Sequence, residues 1–348
     1  MPVKSFKPVI IWLYSGVFLI LLMVAVGGSV RLNNSGLSIV HWNPITGIIP
    51  PMSQPEWQKA FDDYKKIPEY KIEHHHFGLN DFKRIYLWEY FHRLIARIIG
   101  LVFIFPFIFF WIKGYFKDKR LFLRILVIFL FAIFQAWMGW YMVKSGFSDR
   151  TDVSHYRLAI HLFTATLLAS YVLWTALKLH FPNLNSKARP VLRKRSMLLL
   201  AIVSIQLFLG AFTAGLNAGY YYSDYPLMGG EWFPTLAKEG YNTIGLLSII
   251  DTPSMVYFIH RWFAVIVLTT IILYYFYFKK KNYSKQINSI LNLIVFLTGL
   301  QFLLGIITVL SHVNIYFAVL HQVNAILIFL SLISIIFFCV PNRNRYIG

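Results

Sequence analysis

Eleven histidines occur in the sequence, and four of them stand apart. His92, His161, His260 and His321 lie inside long apolar runs, each about one or two helical turns from the same end of its run. Ionisable residues in such runs are costly and mark functional positions. A single one reads most simply as hydrogen-bonded to a neighbouring helix; four at one depth, repeated along the chain, read as metal ligands. Imidazoles facing inward from two helices of a four-helix bundle are the donor set for bis-histidine ligation of a porphyrin iron. His92 with His161 would make one site, and His260 with His321 the other. Cys339 is the only cysteine, so no internal disulfide and no cysteine-based zinc or iron–sulfur site can form within the chain. A redox metal must then be held by histidine or carboxylate, or inside a porphyrin.

A porphyrin also carries two propionates, which need cations at the wet end of the site. Arg93, Arg157 and Arg261 are close in sequence to the histidines, and Arg157 falls one helical turn before His161 on the same face. Each of the three has an equal second reading as an interfacial arginine reaching for headgroups. Glu89 precedes His92 by one turn, whereas the corresponding residue before His260 is Tyr257. A carboxylate there can move protons or simply pair with a nearby arginine. The difference makes the first histidine pair the candidate reactive site and the second a candidate electron-holding site. The run His74, His75, His76 reads as a solvated polar turn, and His41, His155, His180 and His312 read as interfacial.

The elements that must position these residues are membrane spans. Of the 348 residues 57% are hydrophobic and only 14% charged, against about 25% charged in soluble domains. The net charge of +19 comes from short clusters between apolar runs. That is a topology signal, and with no basic domain nucleic acid is excluded as a partner. Eight runs are long enough to cross a bilayer, at about 9–30, 91–112, 123–143, 158–177, 197–218, 256–278, 287–310 and 315–340. The first is too long for the apolar stretch of about 7–15 residues in a signal peptide and is expected to stay as a span. Lys4 and Lys7, then Lys113, Lys117, Lys119, Arg120 and Arg124, then Lys187, Arg189, Arg193, Lys194 and Arg195, then Lys279, Lys280, Lys281 and Lys285, and finally Arg343 and Arg345 occupy alternate connections. The positive-inside rule places those connections and both termini in the cytoplasm. The two long connections, 31–90 and 219–255, then lie outside, and their tryptophans, tyrosines and prolines suggest packed caps.

The halves of the chain match. Glu89-Tyr90-Phe91-His92-Arg93 corresponds to Tyr257-Phe258-Ile259-His260-Arg261, Gln135…Gly139 to Gln301…Gly305, and His161 to His321, with offsets of 168, 166 and 160 residues. The expected fold is an all-α membrane protein of two duplicated four-helix bundles, residues 1–185 and 186–348, related by an axis along the membrane normal.

Read in order, the motifs resemble one family over nearly the whole chain. They are Gly27-Gly28-Ser29-Val30-Arg31-Leu32 with Ser35-Gly36-Leu37-Ser38; Trp42-Asn43-Pro44 with Gly47 and Pro50-Pro51; Phe82-Lys83-Arg84-Ile85; Glu89-Tyr90-Phe91-His92-Arg93; Tyr156-Arg157-Leu158-Ala159 with His161-Leu162; Ala214-Gly215-Leu216-Asn217-Ala218-Gly219; Tyr225-Pro226-Leu227-Met228; Phe258-Ile259-His260-Arg261; and Leu320-His321-Gln322. Each alone is weak; together, in these spans, they resemble the heme A synthases. The resemblance implies a multi-pass inner-membrane oxidoreductase that oxidises a methyl group of heme O to a formyl group, giving heme A for terminal oxidases. It implies that His260 and His321 hold a permanent heme b, that His92 and His161 face the substrate heme, and that Glu89 is needed for activity. It makes heme O synthase a plausible partner, with a homo-oligomer allowed and the electron donor open. Some members of the family carry a cysteine pair in the first outer loop. This chain has none there, so it resembles the cysteine-free branch with the long first loop, and electron delivery through a dithiol of that loop is excluded.

Two other functions compete. A di-heme cytochrome that only passes electrons would have less need of the Glu89/Tyr257 difference. A heme carrier would be expected to show spans broken by paired glycine or proline, whereas Gly210, Gly215 and Gly219 cluster near one end of their span.

Overall fold

The computed structural model describes residues 5–43, 46–148, 150–184, 189–281, 283–340 and 342–343, without the side chains of 183, 342 and 343. Lys4, Pro44, Lys187 and Arg345, and the side chain of Arg343, lie outside the described residues. Among these described residues twelve α-helices follow in chain order: α1 (Lys7–Leu32), α2 (Gln54–Tyr64), α3 (Pro68–Ile72), α4 (Leu79–Ile112), α5 (Lys119–Val143), α6 (His155–His180), α7 (Pro190–Gly215), α8 (Thr235–Ile244), α9 (Ser248–Asp251), α10 (Pro253–Lys279), α11 (Lys285–Leu310) and α12 (Ile315–Phe338). Eight of them, α1, α4, α5, α6, α7, α10, α11 and α12, are long and apolar enough to cross a membrane. The remainder of the regular structure is four short 3-10 turns and a two-residue antiparallel pair, β1 (Asn183–Leu184) with β2 (Asn342–Arg343).

Helices α6 and α12 pack on each other at the centre, with α1 and α7 completing the inner layer. Exchanging α1, α4, α5 and α6 for α7, α10, α11 and α12 maps nearly every helix contact onto another: α1 on α6 onto α7 on α12, α1 on α4 onto α7 on α10, α5 on α6 onto α11 on α12, and α6 on α7 onto α12 on α1. One contact has no close counterpart. Helix α10 packs along α11, but α4 packs on α1 and α2 without comparable packing against α5.

The two large apolar cores lie toward the end with the basic connections. One gathers Leu13, Phe110, Leu121, Ile125 and Val172, and the other Leu199, Ile271, Phe278, Leu291 and Ile335. The histidine layer, nearer the long connections, contributes to neither core.

One boundary differs from the sequence expectation. Helix α4 begins at Leu79, well before the apolar run at 91. Its first turns carry Asp81 and Arg84 outward, lay Lys83 over the Trp57 ring and bury Phe82 and Ile85 beneath Phe61 and Tyr64 of α2, so tertiary packing extends the helix past its hydropathy limit. Helix α2 itself starts with a reciprocal cap between Ser53 and Glu56. The histidine run splits: His74 is buried, stacked on Phe77 at 4.1 Å with Nδ1 2.6 Å from Tyr64 Oη, while His75 and His76 are exposed. The expectation of a wholly solvated turn is corrected for His74, because its flat ring fills the cap core.

Candidate functional site

Each of the four histidines sits on a glycine of a neighbouring helix. A Cβ placed on Gly27 of α1 would lie 3.2 Å from His92 Nε2; on Gly139 of α5, 3.4 Å from His161 Cε1; on Gly210 of α7, 3.1 Å from His260 Cε1; and on Gly305 of α11, 3.0 Å from His321 Cε1. At Gly27, Gly210 and Gly305 an added Cβ would force the imidazole to give by a few tenths of an ångström, while at Gly139 it would make an ordinary contact. The four histidines are half-buried.

Glutamines orient three of the rings. Gln206 Nε2 is 3.1 Å from His260 Nδ1 and donates to His260 O. Gln301 O is 3.1 Å from His321 Nδ1, and Gln301 Nε2 is 3.1 Å from His321 Nε2, with Asn324 donating to Gln301 Oε1. With its amide turned to satisfy both ends, Gln135 donates to His161 Nδ1 at 3.0 Å and accepts from Thr164 Oγ1 at 2.6 Å. Each glutamine stands four residues before the glycine that seats the same histidine. Sequence reasoning found this spacing at Gln135 and Gln301 but missed Gln206…Gly210, which the same pattern contains. The fourth place, four before Gly27, is Met23.

His260 and His321 face each other with ring centroids 6.5 Å apart and planes at 83°. Two imidazoles bound to one metal from opposite sides through bonds of about 2 Å place their centroids about 6 Å apart. The spacing suits bis-histidine ligation once His321 Nε2 exchanges its contact with Gln301 Nε2 for the metal, and two buried atoms without partners stand next to the pair, Gln206 Oε1 and Arg261 Nη1. Arg261 Nη2 donates to the carbonyls of Asp224, Pro226 and Leu227 at 3.1–3.2 Å, which leaves Nη1 for an anion.

The other candidate residues are more heavily engaged. Glu89 is buried: Oε2 accepts from Ser38 Oγ (2.7 Å) and Ile39 N (2.8 Å), and Oε1 pairs with Arg93 Nη2 at 2.6 Å. Arg93 also donates to Ile39 O and His41 O, so the pair clamps the 38–41 segment onto α4. Arg157 donates to Tyr141 O at 2.7 Å and lies 3.8 Å over the Tyr141 ring. It borders a cleft of about 370 Å³ that it lines with Lys144 and Arg150 and with no carboxylate.

Eight helices long and apolar enough to cross a membrane define a multi-pass helical membrane protein. Residues 10–333 match the family model for the cytochrome oxidase assembly protein COX15-CtaA. The chain is 42% identical over 331 residues to a heme A synthase of Flavobacterium psychrophilum (93% of this chain, 96% of the relative). It is 41% identical over 325 residues to that of Flavobacterium johnsoniae (92% and 95%) and 40% identical over 325 residues to that of Rhizorhabdus wittichii (92% and 91%). The chain belongs to the heme A synthase family and is a membrane enzyme.

Proposed function

We propose that the chain oxidises a methyl group of heme O to a formyl group, giving heme A for terminal oxidases, with electrons passed through a bound heme b. The observation that carries this reading is a repeated seat with one unrepeated carboxylate. Glycine-backed histidines occur in both halves, and a buried carboxylate, Glu89, precedes only His92 by one turn, with Tyr257 in the equivalent place before His260.

In this reading His260 and His321 hold heme b, with Gln206 and Gln301 fixing the rings and Arg261 Nη1 taking a propionate. Heme b supplies one-electron redox chemistry. His92 and His161 flank the substrate. Arg157, with Lys144 and Arg150 around its cleft, receives substrate propionates. Arg93 is already committed to Glu89, which makes it a positioning residue. Glu89 is the carboxylate needed for turnover.

The halves 1–185 and 186–348 are read as duplicated bundles, supported by the helix exchange that preserves the contacts. The basic connections support cytoplasmic termini in the inner membrane. Heme O synthase is a fitting neighbour, since the substrate is poorly soluble. The test is pigment extraction and chromatography of the protein purified from cells that make heme O. Heme b with heme A or a hydroxylated form of heme O is expected. Heme b alone, with heme O present in those membranes and unaltered, would reduce the protein to an electron-passing cytochrome.

A further inference from the structure

The motif Tyr225-Pro226-Leu227-Met228 lies in the second long connection, far in sequence from every histidine of the two pairs. It belongs to a turn closed at two points. Met228 N donates to Glu231 O at 2.8 Å and Glu231 N to Met228 O at 3.3 Å, with Gly229 and Gly230 between them at φ of +65° and +81°. Glycine adopts two successive left-handed positions without steric cost. The Asp224 carboxylate closes the turn a second time: Oδ1 accepts from Gly229 N at 2.9 Å and Oδ2 from Gly230 N at 3.0 Å. Buried Met228 anchors the turn in a small cluster with Ala218, Tyr257 and Val309.

The turn holds Arg261. Its Nη2 donates to the carbonyls of Asp224, Pro226 and Leu227, and its guanidinium lies 5.2 Å from the centre of the Tyr225 ring and 5.3 Å from that of Tyr257. Asp224 therefore acts twice, its side chain closing the turn and its carbonyl holding the arginine. Arg93, the counterpart in the first half, is likewise held by carbonyls of a long connection, those of Ile39 and His41, but it is also ion-paired to Glu89. Tyr257 stands in place of that carboxylate before Arg261, and among the described residues Arg261 has no ion pair. A buried guanidinium edge such as its Nη1 is costly unless an anion meets it.

We infer that Asp224 is a positioning residue for heme b: by locking the 224–231 turn it holds Arg261 Nη1 ready for a heme propionate, and it acts on the heme only through that arginine. This rests on the reading of His260 and His321 as the heme b ligands. The donor selects a carboxylate, since a planar guanidinium edge matches one, and Arg261 is the residue next to His260. A guanidinium without an ion pair there also favours the ferrous heme, because the ferric form carries one more positive charge.

The test is a double-mutant cycle on the full-length enzyme, reading the rate of heme b transfer to an apoglobin acceptor and the midpoint potential of heme b. Arg261→Gln should speed release about 10- to 100-fold, through loss of a charge-assisted bond, and Asp224→Ala about fivefold or more, through loss of its aim. Both should lower the midpoint potential. Asp224→Ala added to Arg261→Gln should change neither reading further. Asp224→Asn, which keeps an acceptor for the turn, should fall between alanine and wild type. If Asp224→Ala yields no folded protein, Gly230→Ala loosens the same turn and should give the same shifts: its Cβ meets nothing within 4 Å, but alanine resists a φ of +81°. Wild-type release and potential in Asp224→Ala would overturn the inference, and so would additive effects in the double variant, which would make Asp224 a general prop of the fold. Heme b retained with its bis-histidine spectrum in both His260→Ala and His321→Ala would instead refute the ligand reading.

Discussion

The glycine seats make the sharpest prediction, because a single added methyl should act on ligand binding and not on folding. In Gly210→Ala and Gly305→Ala the new Cβ would stand 3.1 Å and 3.0 Å from the Cε1 of the imidazole it faces. Carbon atoms rest about 3.5–4.0 Å apart, so each ring must retreat by about 0.5 Å. Metal–ligand distances tolerate only about 0.2 Å. Overpacking of this kind costs about 1–3 kcal/mol, which converts to a loss of heme b affinity of about 5- to 150-fold. Helix propensity works the other way, since alanine gains about 1 kcal/mol over glycine in a helix interior, and the fold should hold. Gly299 on α11 has nothing within 4 Å of its Cβ position, so Gly299→Ala is the internal control. In the first half Gly27→Ala, aimed at His92 Nε2 from 3.2 Å, should impair heme O turnover more than Gly139→Ala, which makes an ordinary contact at 3.4 Å. The assay is the rate of heme b transfer to an apoglobin acceptor, with the bis-histidine spectrum as a check on ligation. Gly210→Ala and Gly305→Ala releasing heme no faster than Gly299→Ala would refute the reasoning.

Three further outcomes are expected. Gln206→Leu should weaken heme b binding by about 10- to 100-fold while leaving heme O turnover per remaining heme b intact, measured by the same transfer assay. Glu89→Gln leaves Arg93 without its counter-ion, a local cost of about 3–5 kcal/mol; heme b content should persist while heme A formation stops, and limited proteolysis should find the 38–41 segment loosened. An active Glu89→Gln enzyme would make the pair purely structural. In the outer cap, burial pushes the Glu69 carboxyl up to about 8 from an ordinary 4.5, partly offset by its bond from Tyr64, while burial lowers His74. A raised carboxyl favours folding below its unfolded value, and that contribution is lost as pH rises from about 4.5 through about 8; lowered His74 is lost in the other direction, as pH falls. The cap should therefore loosen on the alkaline side, and Glu69→Gln should remove that alkaline loss, as followed by protease sensitivity between pH 6 and 9.

The spans were legible because a bilayer admits one solution for an apolar run of that length, and all eight are present. The four histidines were legible because polar residues are conspicuous against such runs. Their seats were half legible: Gln301…Gly305 stood out as the repeat of Gln135…Gly139, but Gln206…Gly210 lies 54 residues before its histidine, across the long second connection, and only the fold brings it to His260. The start of α4 was hidden because Phe82 and Ile85 are held by a cap whose packing no local periodicity reports.

The glycine pair of α1 also bears on how the two sites communicate. Helix α1 runs between them. Gly27 seats His92, and a Cβ on the adjacent Gly28 would fall 2.5 Å from Gln322 Oε1, beside His321. One pair of small residues thus brings a first-half histidine and the neighbour of a second-half histidine onto the same turn of helix. Where α1 ends, Arg31 donates to Asn217 Oδ1 at 2.8 Å and Asn217 donates to Asp152 Oδ2 at 2.7 Å, tying the halves together at the level of the long connections. Bulk at Gly28 would separate the two sites without touching a ligand. Gly28→Leu should therefore slow electron transfer from reduced heme b to the first site while both sites still bind, and equal rates in stopped-flow reoxidation of wild type and variant would show that α1 carries no such coupling.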